Sequence, residues 1–166
     1  AQRFDSVMTL IPQFKLKEPT NQLSVKERLD LFQKEFPGCQ LVIKEFPTGQ
    51  ASINTIRNLM VQLKNYDEFE PDLLIVDYLE LLRPTRELQQ EYQAQQRIAE
   101  ELRGIAMEHD FLIWTATQTN RQGRMVKIIT DAELGDSYGK IRTCDFALSL
   151  NQTEEEFDEG RMRSYV

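Results

Sequence analysis

Apolar positions follow two rhythms along the chain. Leu73, Leu74, Ile75 and Val76 form an unbroken run of strand length, and residues 111–116, apolar but for Thr115, form a second strand run. Such runs suit central strands of a parallel sheet covered on both faces. Both end on polar side chains: Asp77 follows the first, and Thr117, Gln118, Thr119 and Asn120 follow the second. Between them Leu88, Ile98, Leu102, Ile105 and Ala106 fall on one side of a long helix predicted to start near Thr85. Its first half, residues 85–96, is rich in Gln and Glu and carries too little apolar surface to be buried, so it is predicted to project from the sheet. Two parallel strands joined by a crossover helix form a right-handed βαβ unit whose strand ends share one edge. Asp77 and Gln118 are therefore predicted to stand side by side, a carboxylate for a cation and an amide for an anionic or phosphoryl oxygen.

The flanking elements follow from the same patterns. Phe4, Val7, Met8 and Ile11 lie at helical spacing with no capping residue ahead of them, which predicts a helix over residues 3–10 that begins before Ala1. Ser24 and Glu27 make a capping-box pair for a helix running to Phe36, stopped by Pro37 and Gly38. Leu41, Val42 and Ile43 predict a strand ending near Phe46, followed by a turn at Pro47, Thr48 and Gly49. Ile56, Leu59, Met60 and Leu63 mark the next helix. Farther on, Thr130 and Glu133 form another capping box, with Ile129 and Leu134 as its hydrophobic staple, for a short helix ending around Gly139. Phe146, Leu148 and Leu150 alternate as a third strand, residues 151–160 read as an acidic turn, and residues 162–166 begin a further strand. No internal repeat or low-complexity linker divides the chain, so residues 1–166 are read as one domain.

Composition, with 40% hydrophobic and 28% charged residues, is that of an ordinary globular protein. No apolar run reaches membrane-span length, and the first residues lack the basic start and apolar centre of a signal peptide; no membrane contact and a cytoplasmic location are expected. Cys39 and Cys144 have no Cys or His at ligand spacing and are expected to be reduced, packing thiols. His109 is expected at a helix end, where it interacts favourably with the dipole. A net charge of −7 argues against a generally basic nucleic-acid-binding surface. Charge is nonetheless segregated: acids crowd from Glu154 to Glu159, whereas Arg121, Arg124 and Lys127 have no acid between them. A solvated basic loop and a local polyanion site both fit that cluster.

An apolar strand ending in Asp is also how P-loop nucleotidases hold Mg²⁺, a hard cation that keeps several waters between itself and the protein. From this stretch alone, a buried strand with a turn acid reads equally well. Three stretches taken together, DLLIVDYLELL, RIAEELRGIAMEHDFLIWTATQTNR and CDFALSLNQTEEE, resemble the second half of the RecA-like ATPase domain of DnaB-type replicative helicases. The likeness runs with decreasing clarity over most of residues 41–166. It rests on Asp-Tyr-Leu after the first strand, Thr-Gln-Thr-Asn-Arg after the second, and the single long helix between them. The resemblance implies an α/β, RecA-like P-loop NTPase core, a mostly parallel sheet flanked by helices. It implies that Asp77 is the Walker B acid, orienting Mg²⁺ through water on the β- and γ-phosphates of ATP. Gln118 would sense the γ-phosphate and link its presence to the loop that follows. Arg121, Gly123, Arg124 and Lys127 would face the central channel of a hexameric ring of identical subunits and meet single-stranded DNA without sequence preference. Arg83 and Arg86 would lie in the other loop directed at that channel.

The chain also departs from the family pattern. No G-x-x-x-x-G-K-[ST] occurs in it, so the Walker A strand and its phosphate loop are lacking. In the family the catalytic glutamate precedes the region that residues 1–10 resemble, and the Lys and Arg that reach a neighbour's nucleotide lie beyond the region matching Val166. Glu80 is the one nearby acid that could substitute as a base, although a solvated strand-end acid is the simpler reading. These departures predict no significant ATP hydrolysis by this stretch alone. They also predict two exposed strand edges, met by dimerisation, domain swapping or poor solubility. The alternative function is a non-catalytic RecA-like nucleic-acid-binding or assembly module, with a RecA-type recombinase fragment as a near variant of the helicase reading.

Overall fold

A computed structural model describes residues 2–86, 90–118 and 138–166, which divide into two units, Ala1–Glu45 and Phe46–Val166. In the first unit, helix α1 (Gln2–Thr9) forms where the spacing of Phe4, Val7 and Met8 predicts it. A 3₁₀ turn, Gln13–Lys15, leads to α2 (Pro19–Glu35), which packs on α1. Helix α2 starts ahead of the predicted capping box. Pro19 takes the first turn, where its missing N–H is no loss and its φ is preset, and Glu18 is the N-cap. Ser24 therefore lies inside the helix, its hydroxyl donating to the Thr20 carbonyl at 3.3 Å. Phe36 closes α2 as predicted. The strand expected at residues 41–46 is not formed: residues 39–47 carry no regular structure, and Leu41, Val42 and Ile43 are exposed. An apolar run becomes a strand only by sharing a ladder, and none of the described segments pairs with it.

In the second unit the expected turn is present, with the Gln50 N–H donating to the Pro47 carbonyl at 3.1 Å. Helix α3 (Ile53–Tyr66) opens on a capping box: Ser52 Oγ accepts the Thr55 N–H at 3.3 Å, and Thr55 Oγ1 accepts the Ser52 N–H at 3.1 Å. It buries Ile53, Ile56, Met60 and Leu63, the predicted face extended by one turn. Strand β1 (Leu73–Val76), a 3₁₀ turn (Leu79–Leu81), α4 (Glu91–His109) and β2 (Leu112–Thr115) follow. The strands are parallel, in register from Leu73↔Leu112 to Val76↔Thr115, as the βαβ pattern predicts. Helix α4 starts later than predicted; Thr85 and Arg86 precede its N-cap, Gln90, and Leu88 lies outside the described residues. It ends as expected on His109, with Asp110 in the left-handed conformation (φ 54°, ψ 48°).

Ile53, Ile98 and Ile105 sit at the centre of the core, ringed by Met60, Leu63, Leu79, Leu102 and Phe111, with Leu74, Val76 and Ile113 packed beneath from the strands. Helices α3 and α4 thus cover one face of the β1–β2 pair, and the Arg57 guanidinium clamps them by donating to both oxygens of Glu108 at 2.8 and 2.9 Å. On the other face, no helix among the described residues packs on the pair. Strand alternation sends Leu73, Ile75, Leu112 and Trp114 to the opposite side, where they are exposed.

The third strand is shorter than predicted. Strand β3 (Ser149–Asn151) pairs antiparallel with β4 (Arg163–Tyr165) in a sheet separate from β1–β2, and Phe146 and Leu148 precede it. Of the helix predicted up to Gly139, only its last turn, α5 (Tyr138–Ile141), is described; Thr130, Glu133, Ile129 and Leu134 lie outside the described residues. Between β3 and β4 the expected acidic turn is a short helix, α6 (Glu154–Asp158), capped by Thr153 and Glu156, whose clustered acids lie at the favourable end of the dipole. Cys39 and Cys144 are free, as expected, but exposed rather than packed. None of the described helices is long and apolar enough to cross a membrane.

Candidate functional site

The parallel register carries the chain after β1 along the chain after β2. Thr115 Oγ1 donates to the Val76 carbonyl at 2.9 Å, and the Leu79 N–H donates to the Ala116 carbonyl at 3.3 Å. Asp77 and Gln118 consequently leave the sheet on one edge, both exposed. Among the described residues no hydrogen bond joins their side chains; the direct link across this edge is made by Glu80 and Thr117.

Glu80 is not the solvated acid the sequence suggests. Leu79, buried in the core, anchors the 3₁₀ turn and holds the Glu80 side chain inward, 18% exposed. Its Oε1 accepts a hydrogen bond from Thr117 and an ion-paired one from Lys140 Nζ at 2.8 Å. Lys140 is 4% exposed, and its other two donors reach Gln95 Oε1 and Thr117 Oγ1, each at 2.8 Å. All three ammonium hydrogens are thereby satisfied. Glu80 Oε2 is buried without a partner among the described residues. Burial pushes the Glu80 carboxyl up, but the hydrogen bonds from Lys140, Thr117 and the backbone, with the Lys140 charge, outweigh it and hold the group below its ordinary value. A carboxylate so engaged is a poor proton acceptor, which removes the case for Glu80 as a substitute base.

The same shift fixes a pH dependence. The carboxyl is more acidic folded than unfolded, so its stabilising contribution is complete above the ordinary carboxylate range and is lost as pH falls through the depressed folded value. Glu80→Gln is therefore expected to lower stability near neutral pH and to match the parent in strong acid, as read by denaturant unfolding across pH. An equal deficit at both ends of the range would contradict the ion-pair assignment.

Lys140 and Gln95 escape a reading of the sequence, and Thr117 shows only as a polar strand end, because partners so far apart leave no spacing signal. The expectation that the Gln-rich start of α4 projects away also fails at Gln95, which turns inward to Lys140. Gly139 lies against the neighbouring residue of α4: a Cβ there would lie 2.7 Å from Oε1, the flexible end of the Gln96 side chain. Of the remaining predicted residues, Arg83 donates its N–H to the Ala51 carbonyl at 2.8 Å and bridges to Ser52, leaving its side chain exposed, as is Arg86. Arg121, Gly123, Arg124 and Lys127 lie outside the described residues.

The fold matches that of known RecA-like ATPase domains. A solved ATPase domain superposes with a TM-score of 0.71 at 19% identity, over 96% of this chain and 56% of that one. A DnaB-like replicative helicase, in a structure concerned with its interactions with primase, superposes with a TM-score of 0.70 at 19% identity, over 95% of this chain and 38% of that one. This defines the class as a RecA-like α/β fold. Residues 1–136 match the DnaB-like helicase C terminal domain, and the chain belongs to that family. It is 33% identical over 133 residues to the DnaB-like replicative helicase of Enterobacteria phage T4, a match that takes in 78% of this chain and 28% of the phage protein.

Proposed function

We propose that this chain is part of an ATP-driven replicative DNA helicase that translocates on single-stranded DNA. The observation that carries this reading is the shared strand edge: Asp77 and Gln118 emerge together from a parallel pair in a chain of the DnaB-like helicase family. Family membership favours it over a non-catalytic binding module.

Asp77 suits a hard cation such as Mg²⁺. No group of three His, Cys, Asp or Glu among the described residues could hold a metal alone, and a single exposed carboxylate fits an ion that takes its other ligands from water and from substrate phosphates. When bound, Mg²⁺ would neutralise charge developing on the β- and γ-phosphates of ATP. In this reading Asp77 orients the ion through water, while the Gln118 amide donates to the γ-phosphate and registers its loss. Arg121, Arg124 and Lys127, with Gly123 allowing close backbone approach, hold the DNA phosphates, assisted by Arg83 and Arg86. Identical subunits would complete the site and channel in a hexameric ring, the residues 1–166 serving as one part of its ATPase domain.

Neutralising Arg121, Arg124 and Lys127 together in the intact protein tests this assignment. Single-stranded DNA affinity is expected to fall for all sequences alike, and the slope of log affinity against log salt to shrink by about 2, near 0.7 per lost phosphate contact. An unchanged salt slope would remove these residues from the DNA interface.

A further inference from the structure

The Glu80 cluster has an unusual place in the chain. Glu80 lies three residues beyond Asp77, in the turn anchored by Leu79. Thr117 lies beside Gln118, just ahead of residues 119–137, and Lys140 lies just after them. The three side chains meet at 2.8 Å contacts from Lys140 Nζ, together with the Thr117–Glu80 hydrogen bond. Both flanks of the segment containing Arg121, Arg124 and Lys127 are therefore tied to one carboxylate, and that carboxylate belongs to the turn that follows Asp77. Gln95 fastens the same knot to α4.

We propose that Glu80 and Lys140 are a positioning pair that couples nucleotide state at Asp77 and Gln118 to the grip of the basic segment on DNA. The inference rests on the nucleotide and DNA assignments proposed above and adds the residues that join them. The physical reason is the burial of Lys140. A nearly inaccessible ammonium cannot exchange Glu80 for water, so a shift of the Asp77 turn must either carry Lys140 along or leave a buried charge unpaired. Such an arrangement favours discrete positions over gradual drift, which is what a coupling element requires. Neither residue is assigned contact with nucleotide or DNA.

The test uses the intact helicase with Glu80→Gln and Lys140→Met together. Removing both charges leaves no unpaired ion in the core, and such neutral replacements of buried pairs are commonly tolerated. The double variant is expected to melt like the parent and to keep its KM for ATP and its DNA-free hydrolysis rate. Stimulation of kcat by single-stranded DNA should fall by about 5-fold or more, within the usual span of coupling between sites. The ratio of DNA affinities measured with a non-hydrolysable ATP analogue and with ADP should move toward one. A second variant, Glu80→Asp, keeps the charge and is expected to retain part of the stimulation. Unchanged stimulation and affinity ratio in the double variant would overturn the proposal. So would an equal loss of basal and stimulated rates with a lowered melting temperature, which is the mark of a purely structural pair. A parent protein that hydrolyses ATP without DNA stimulation would also overturn it while leaving the helicase family intact. A parent that hydrolyses no nucleotide would instead defeat the function proposed above.

Discussion

Asp77→Ala in the intact protein is expected to lower Mg²⁺-dependent ATP hydrolysis by about 10- to 100-fold or more, the usual cost of losing a partner that orients a bound ion. The reason lies in its position. Asp77 is the first residue beyond an apolar strand whose odd positions face out and whose even positions, Leu74 and Val76, are held by the α3–α4 core. Its carboxylate is exposed, so the substitution leaves no cavity and little change in stability follows. The effect should fall on kcat and on the Mg²⁺ concentration required, with single-stranded DNA affinity in the absence of nucleotide left within about twofold, since the contacts proposed for DNA phosphates do not include Asp77. Steady-state hydrolysis over a Mg²⁺ titration measures both quantities. Parent-like hydrolysis at every Mg²⁺ concentration would remove Asp77 from the nucleotide site.

Ile105→Ala should be the most damaging core change, costing about 2–5 kcal/mol as other buried Ile-to-Ala truncations do. Ile105 is fully buried in α4, at the centre of the cluster with Ile53, Leu102 and Phe111. The lost methyl groups are flanked by side chains from α3, α4 and the strands, so the surroundings can collapse only in part. Denaturant unfolding of parent and variant reads the difference directly. A loss below about 1 kcal/mol would mean that this side chain is not in a close-packed core. Ile105→Val provides the graded comparison, at about 0.5–1.5 kcal/mol.

The parts of the fold legible in the sequence were those governed by local pattern. The helical spacing of Ile98, Leu102 and Ile105, the apolar strand runs before Asp77 and Thr117, and the Pro37–Gly38 stop each report one element's own burial or backbone preference. Two departures came from competition between signals: Pro19 outranked Ser24 as a helix start, and Thr153 with Glu156 turned an acidic stretch into a capped helix. Others came from context, which no local pattern holds. Leu41 to Ile43 have the composition of a strand but no ladder to join among the described residues, and Leu73 and Ile75 are as apolar as buried residues yet lie exposed. The candidate site divides the same way. Asp77 and Gln118 are candidates because polar residues follow each apolar strand run, Asp77 at once and Gln118 after Thr117. Lys140 is not: its meaning depends on meeting Glu80, Thr117 and Gln95 across long separations, and an isolated Lys in a short helix reads as solvated until the fold buries it.

ATP-dependent separation of a forked DNA duplex by the intact protein tests the central claim most directly. The expected result is strand release that requires hydrolysable ATP with Mg²⁺ and a single-stranded tail, and that disappears in Asp77→Ala. Tight binding of single-stranded DNA with no nucleotide-dependent strand separation would contradict it, and would make this RecA-like fold a binding module.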